Sequence, residues 1–154
     1  EAKPFEKGYT NNFILTEQKQ NPLELVPESI AKLMGPISGK NKGSIEDLIY
    51  CHLYGVVGDW YLSEISEDRE MAFGFQIINS EPAWEMDNWL TNSCEWRDIS
   101  IKKLQELVSE KFLKEKDIRF LITRDLRWKP IKFSEINIDQ TTLFYPGTTD
   151  RNLS

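Results

Sequence analysis

The chain of 154 residues has very little of what catalytic and metal-binding sites most often use, since it contains one histidine and two cysteines. A structural zinc site takes three or four cysteine and histidine ligands, so all three of these residues would have to join one site. Cys51 and Cys94 allow at most one disulfide, and such sparse cysteine favours a reducing, cytosolic setting. We therefore expect no metal centre and no cofactor.

Long apolar runs are missing as well. No stretch of about 18 apolar residues occurs, so the sequence predicts no membrane-spanning helix. The chain also lacks the basic start and apolar stretch of a signal peptide, although a leader removed before Glu1 stays an open alternative because the first residue is not methionine. With 40% apolar and 29% charged residues, the composition is that of one folded globular domain.

Nucleophilic and phosphate-binding motifs are weak. His52 directly follows Cys51, and neighbours on a strand point to opposite faces, so we do not expect the two to form a nucleophile–base pair. A small buried thiol beside a partly exposed ring is the ordinary interpretation. The segment Gly35–Lys40 has two glycines and a lysine, but it lacks the spacing and the preceding buried strand of a phosphate-binding loop.

What the chain does have is an uneven distribution of charge. The formal net charge is −6, yet residues 59–98 contain ten acidic residues and two arginines, a net charge of −8. Residues 99–135 contain ten basic and six acidic residues, a net charge of +4. The acidic half favours a basic partner. Overall acidity argues against strong nucleic-acid binding, which depends on neutralised phosphates.

The apolar periodicity predicts a single α+β domain over residues 22–137, with an irregular arm at 1–21 and a loosely held tail at 138–154. Three strands with alternating apolar residues are joined by short turns: Leu48–Tyr54, Trp60–Ile65 and Met71–Ile78. Because short turns join antiparallel strands, these three form a β-meander. Two main helices are predicted to pack on this sheet, at Pro27–Met34 and Ser100–Phe112.

The remaining segments are less regular. Further strands are predicted at Ile118–Thr123 and Ile131–Phe133, and residues 35–45 are predicted to form a loop. Residues 79–98 are interpreted either as an exposed loop or as a short helical turn.

Several short motifs occur in a recognisable order along the chain. They are Trp60, Tyr61 and Glu64, then Phe73-Gly74, then Leu104–Leu107, and finally Arg124, Asp125, Leu126, Trp128, Lys129 and Pro130. Together these motifs resemble the bacterial family called domain of unknown function 2958. The resemblance implies the fold and a plasmid or mobile-element context, and it implies no mechanism. The chain departs from the family pattern in a longer insert that contains Trp84, Trp89 and Cys94.

Paired carboxylates are the first candidates for chemistry. They are Glu67 with Asp68, Glu85 with Asp87, and Glu64 on the predicted second strand. A hydrolase that works through two carboxylates or through Mg²⁺ uses residues of this type. Glu67 and Asp68 lie in a predicted turn, however, where acidic residues are ordinarily solvated surface.

Tryptophans are the candidates for recognition. Trp84, Trp89 and Trp96 have acidic neighbours and form either an interface anchor or a lid over the apolar sheet face.

A second group of candidates follows the last long strand. Arg124 with Asp125 is interpreted as a pair that fixes the following loop, with ligand binding as the alternative. Trp128, between two basic residues, either packs nearby or stacks on a base of a single-stranded nucleic acid.

Three functional hypotheses are compatible with these features. The first is a non-enzymatic, cytosolic binding module of a mobile element that engages a basic protein partner, such as a nucleic-acid-binding protein, by imitating phosphates with its acidic surface. The second is a small hydrolase or nuclease whose carboxylate site requires Glu64 and Arg124 to converge in one pocket. The third is a structural subunit whose exposed aromatic residues form an oligomer interface.

Overall fold

The computed structural model describes residues 20–78 and 93–138. The predicted arm at 1–21 and tail at 138–154 lie almost entirely outside these ranges. Four candidate site residues also lie outside them: Trp84, Glu85, Asp87 and Trp89. Within the described ranges, no helix is both long enough and apolar enough to cross a membrane.

The described residues form an α+β fold on one six-stranded sheet, which confirms the predicted fold class. The strands of the chain are β1 (Gly35–Pro36), β2 (Leu48–Ile49), β3 (Cys51–Gly55), β4 (Gly58–Ile65), β5 (Met71–Ile78), β6 (Ser93–Ser100), β7 (Ile122–Arg124) and β8 (Ile131–Lys132). The main sheet has the order β6-β5-β4-β3-β7, with β1 beside the end of β4, and β2 pairs with β8 separately. All pairs are antiparallel except β1 with β4, so the predicted meander is confirmed.

Two helical segments cover one side of this sheet. The first, α1, spans only Glu28–Ala31, and hydrogen-bonded turns continue the predicted helix to Met34. The second, α2, spans Ile101–Leu107 and continues as a π-helix at Val108–Lys114. Ser100 is its N-cap, as predicted, because its Oγ accepts a hydrogen bond of 3.1 Å from the backbone N–H of Lys103.

The predicted strand at Ile118–Thr123 is wrong in its first half. Ile118–Phe120 is a 3₁₀ turn, and only Ile122–Arg124 is a strand. The carboxylate of Asp117 accepts a hydrogen bond from the backbone N–H of Arg119, and this local bond stabilises a turn that apolar alternation does not reveal.

Two predicted loops also contain strands. Residues 93–100 form β6, paired with β5 from Met71↔Ser100 to Ile78↔Ser93 without a break in register. The sequence conceals this strand because Glu95 and Arg97 occupy the positions that alternate with Cys94 and Trp96. Gly35–Pro36, in the predicted loop at 35–45, pairs with β4. Long-range pairing overrides local preference in both places.

The two faces of the main sheet carry different cores. The helix face, which we define as the face covered by α1 and α2, buries mainly aliphatic residues: Cys51, Leu53, Trp60, Leu62, Ala72, Ile99 and Ile122. The aromatic face, which we define as the opposite one, buries Tyr61, Phe75, Ile77 and Phe133, with Trp96 and Trp128 packed against them. Short segments close the aromatic face, including the 3₁₀ turn Phe133–Glu135.

Candidate functional site

The turn between β4 and β5 presents two of the predicted acidic site residues, Glu67 and Asp68, to solvent. The Asp68 carboxylate accepts hydrogen bonds from Ser66 Oγ at 2.7 Å and from the backbone N–H of Glu70 at 2.9 Å. The bond from Ser66, followed by that from Glu70, lowers the pKa of Asp68. Arg69 has a φ of 64° in this turn, a conformation that few non-glycine residues adopt. The turn therefore holds a charged Asp68 in a defined position.

Two adjoining depressions of about 320 Å³ and about 710 Å³ flank this turn and share Asp68 and Arg69 in their walls. We call the two together the acidic groove. Its charged lining residues are Glu24, Glu28, Glu67, Asp68, Glu70 and Glu106 on the acidic side and Lys32, Arg69 and Lys102 on the basic side. The apolar part of the lining belongs to the helix side of the sheet, as shown by Val26 and Ile101. The groove is thus a concave surface of net negative charge.

Four of the six carboxylates in the acidic groove have no ionic partner within the described ranges, and one of these four, that of Asp68, is held by the two hydrogen bonds of its turn. Arg69 pairs with Glu24 at 3.7 Å, and Lys32 pairs with Glu28 at 3.9 Å. Three further side chains, those of Glu67, Glu70 and Glu106, are exposed and form no ion pair with any residue of the described ranges. These three carboxylates are therefore open to an incoming cationic group.

Glu64 does not belong to this groove, because it lies on the aromatic face. A β-bulge after Leu62 shifts the register, so that Glu64 pairs with Phe73. Its carboxylate accepts hydrogen bonds from Asn41 Nδ2 at 3.1 Å and from the backbone N–H of Ser38 at 3.3 Å. The Asn41 amide also donates to Asp47 at 3.1 Å, so Glu64 fixes the loop that leads to β2.

Arg124 lies on the helix side of the sheet and is only 6% exposed. Its guanidinium donates to the backbone carbonyl oxygens of Glu24 and Asn21 and thereby ties the segment before α1 to β7. Burial lowers the pKa of this guanidinium. Since Glu64 is on the opposite face, the structure does not bring the two residues of the predicted hydrolase site together.

Arg124 and Asp125 do not pair with each other, because Arg124 at the end of β7 points to the helix side, whereas the side chain of Asp125, directly after the strand, lies on the aromatic face. Asp125 instead accepts a hydrogen bond of 3.0 Å from the backbone N–H of Arg127. It also lies 3.6 Å from His52 Nδ1 on the aromatic face. Each of the two residues therefore fixes a different segment of the chain.

The two described tryptophan candidates both pack inward. Trp96 contacts the rings of Phe73, Phe75 and Phe133 at centroid distances of 5.0–6.0 Å. Gly43, at a φ of 88°, lies so close to Trp96 that an added Cβ would fall 2.1 Å from the ring. Trp96 is therefore a lid over the sheet, the second of the two predicted roles.

Trp128 covers the neighbouring part of the same face. Its Nε1 donates a hydrogen bond of 2.9 Å to the carbonyl oxygen of Ile49. Its ring lies 5.1 Å from the His52 ring and 6.0 Å from the Tyr61 ring, measured between centroids. The ring thus packs within the aromatic face, as in the first of its two predicted roles.

The sequence did not reveal a polar cluster around His52. His52 Nε2 lies 2.8 Å from Asp59 Oδ1, and the imidazole stacks on Tyr61 at 4.6 Å with parallel planes. The His52 side chain is 14% exposed, since Trp128 and Tyr61 cover it. The signal that could have located Asp59 is the hairpin register, in which Tyr54 faces Asp59 and His52 faces Tyr61. The enclosed ring joins two strands and leaves little room for a reactant.

The two cysteines are poor nucleophiles. Cys51 points to the helix face, opposite His52, as predicted, and burial raises the pKa of its thiol to about 12. Partial burial, followed by the charge of Glu95, raises the pKa of the Cys94 thiol to about 11. Across residues 20–78 and 93–138 there is no cluster of three or more histidine, cysteine, aspartate or glutamate side chains with the spacing of a metal site.

Comparison of the chain with protein-family models, with curated proteins and with solved structures gives no significant match. The resemblance to the domain of unknown function 2958 family therefore stays a prediction from the motifs alone.

Proposed function

We propose that this chain is a non-enzymatic protein-binding module that engages a basic partner through the acidic groove. The observation that supports this proposal is the set of exposed, unpaired carboxylates of Glu67, Glu70 and Glu106 around one concave surface. Complementary potentials of this kind steer association and select partners by charge. The partner chemistry that fits is a lysine- and arginine-rich protein segment, such as the nucleic-acid-binding surface of another protein.

The proposed binding surface does not include all the acidic residues of the segment 59–98. Glu64 and Asp59 are engaged on the aromatic face, and Trp96 packs inward, so neither that face nor this tryptophan contributes to the proposed surface. A bacterial cytosolic location and an origin in a plasmid or other mobile element belong to the same proposal, and their support is the sequence resemblance and the sparse cysteine.

The proposal predicts binding that depends on salt and on a few identified carboxylates. A short synthetic peptide rich in lysine and arginine serves as the probe, with affinity measured by calorimetry at low and at high ionic strength. Because exposed ion pairs are screened by salt, we expect the dissociation constant to rise steeply with salt. The triple variant Glu67→Lys, Glu70→Lys, Glu106→Lys should weaken binding by at least about tenfold, given about 0.2–1 kcal/mol for each exposed pair and added repulsion.

A matched control variant distinguishes the effect of the groove carboxylates on binding from the effect of net charge. The triple variant Glu46→Lys, Glu115→Lys, Glu135→Lys makes the same change in formal charge at exposed positions that do not line the groove. The control should keep most of the affinity. Equal losses in both triple variants would show that the peptide senses net charge alone, and binding that ignores salt would contradict the electrostatic mechanism.

The geometry does not favour the alternative of a carboxylate-dependent hydrolase or nuclease. That alternative required Glu64 and Arg124 to meet in one pocket, and the two side chains lie on opposite faces of the sheet.

A further inference from the structure

Among the described residues, no strand pairs with the outer edge of β6. The strand stands last in the sheet order, and its eight residues pair with β5 on one side only. Within the described ranges no backbone-to-backbone hydrogen bond is made on its other side, and one side chain, that of Arg97, donates from Nε to the carbonyl oxygen of Asp98 at 3.1 Å. At about 3.4 Å per residue, this edge is about 27 Å long. Natural sheets protect such edges with proline, a bulge, a short strand or charged side chains, and of these devices Ser93–Ser100 has only the charges of Glu95, Arg97 and Asp98.

The charges on this edge are self-complementary. Glu95 and Arg97 lie on the helix face of β6, and their side chains are 55% and 39% exposed. When two copies of β6 run antiparallel around a two-fold axis at Trp96, Glu95 of each copy faces Arg97 of the other. Opposite charges that face each other across strands stabilise the pair, and like charges destabilise it.

Neighbouring registers are disfavoured by the same charges. Moving the axis to residue 95 places the two Glu95 side chains opposite each other. Moving it to residue 97 does the same for the two Arg97 side chains. The charge pattern thus selects one register among those that keep both helix layers on the same side of the joined sheet.

We propose that β6 pairs with β6 of a second copy of this chain, in the antiparallel register centred on Trp96, to form one continuous sheet across a symmetric dimer. This pairing satisfies the unpaired backbone groups at the edge. It exchanges the intrachain ion pair of Glu95 with Arg97, at 3.5 Å, for two symmetric ion pairs between copies.

Charge reversal tests the register directly. Sedimentation velocity over a range of protein concentrations should show a reversible dimer for the unaltered chain. Glu95→Arg places arginines opposite each other in its own dimer, and Arg97→Glu places glutamates opposite each other. Each variant alone should therefore dissociate at least about tenfold more readily.

The mixture of the two single variants is the decisive sample. An equimolar mixture restores both opposite-charge pairs and should form a heterodimer about as stable as the original dimer. The double variant Glu95→Arg, Arg97→Glu should also dimerise. Circular dichroism and thermal unfolding of each variant check that these exposed substitutions leave the fold intact.

Three results would overturn the proposal. One is a chain that stays monomeric at the highest concentrations reached. Another is a pair of folded single variants that dimerise as well as the original, and the third is a mixture that associates no better than its components.

Discussion

The two faces of the six-stranded sheet are closed by different means. On the helix face, α1 and α2 cover aliphatic side chains, and at the rim of this layer the carboxylates of Glu67, Glu70 and Glu106 in the acidic groove stay unpaired. On the aromatic face, short irregular segments cover the rings, and the polar groups there are bonded to the segments around them. Glu64 bonds to Asn41, and His52 bonds to Asp59. Acidic residues that look alike in sequence therefore have opposite roles, one set open to a ligand and the other structural.

The largest effect on stability is expected from removing a buried ring from the aromatic face. Phe133 is 4% exposed and contacts the rings of Tyr61, Phe75 and Trp96. Phe133→Ala should lower the free energy of unfolding by about 3–5 kcal/mol because it leaves a cavity among these rings. Urea denaturation measures this loss. The exposed neighbour Ser134→Ala should change stability by less than about 0.5 kcal/mol, and equal effects at the two positions would contradict a packed aromatic face.

A smaller loss of stability is expected from breaking the hydrogen bonds between β7 and the segment before α1. Arg124→Met removes the donor that satisfies the backbone carbonyls of Glu24 and Asn21 and should cost about 1–3 kcal/mol of stability. The exposed Arg127→Met serves as the matched control in the same urea experiment. If Arg124→Met unfolds like the control, the buried guanidinium does not hold this segment in place.

The alkylation rates of the two thiols show how well each face of the sheet is closed to solvent. Cys94, on the aromatic face, is half-buried with a pKa of about 11, so about one thiol in a thousand is ionised at pH 8. Its alkylation should be slow and should rise about tenfold per pH unit toward pH 11. Cys51, on the helix face, should react only as the chain unfolds. Mass spectrometry of the alkylated sites distinguishes them, and fast modification of native Cys51 would contradict a closed helix face.

The same burial of Cys51 predicts a dependence of stability on pH. Its thiol has an ordinary pKa of 9.0 in the unfolded chain and a pKa of about 12 in the folded one. As the pH rises above 9, the unfolded chain loses this proton first, so the free energy of unfolding falls between pH 9 and 12. Cys51→Ala should reduce this fall, and an unchanged pH profile would contradict the prediction.

The smallest effect concerns the turn of the acidic groove. The hydrogen bond from Ser66 lowers the pKa of Asp68, so the carboxylate stabilises the turn above its ordinary pKa of 3.8 and this contribution is lost as the pH falls through the lowered value. Ser66→Ala should move the pKa of Asp68 back toward 3.8. Side-chain carboxyl chemical shifts followed by NMR report this pKa, and no movement in the variant would exclude Ser66 as the cause.

Patterns among residues close in sequence predicted most of the strands and helices that form the helix face. The alternation in Trp60–Ile65 and Met71–Ile78 and the short turns between strands predicted the meander, and Ser100 predicted the start of α2. These features depend on residues that are close together in the sequence, so one sequence is enough to predict them.

The polar arrangement of the sheet could not be predicted in the same way. The contact between His52 and Asp59 depends on the hairpin register, and the bulge after Leu62 reverses the direction in which Glu64 points. Arg124 bonds to backbone about 100 residues away. Charge counts along the sequence therefore do not distinguish exposed carboxylates from those of Asp59 and Glu64, which bond within the fold.

NMR mapping with a basic peptide tests most directly the claim that recognition belongs to the rim of the helix face. The isotope-labelled chain is titrated with the lysine- and arginine-rich peptide at low salt, and backbone amide shifts are followed. We expect the changes to concentrate at residues 66–70 and 101–109, the two segments that contribute to the lining of the acidic groove, and to disappear in the variant with Glu67, Glu70 and Glu106 reversed to lysine. Changes centred on His52, Asp59 and Trp128 instead would place the binding surface on the aromatic face and contradict this account.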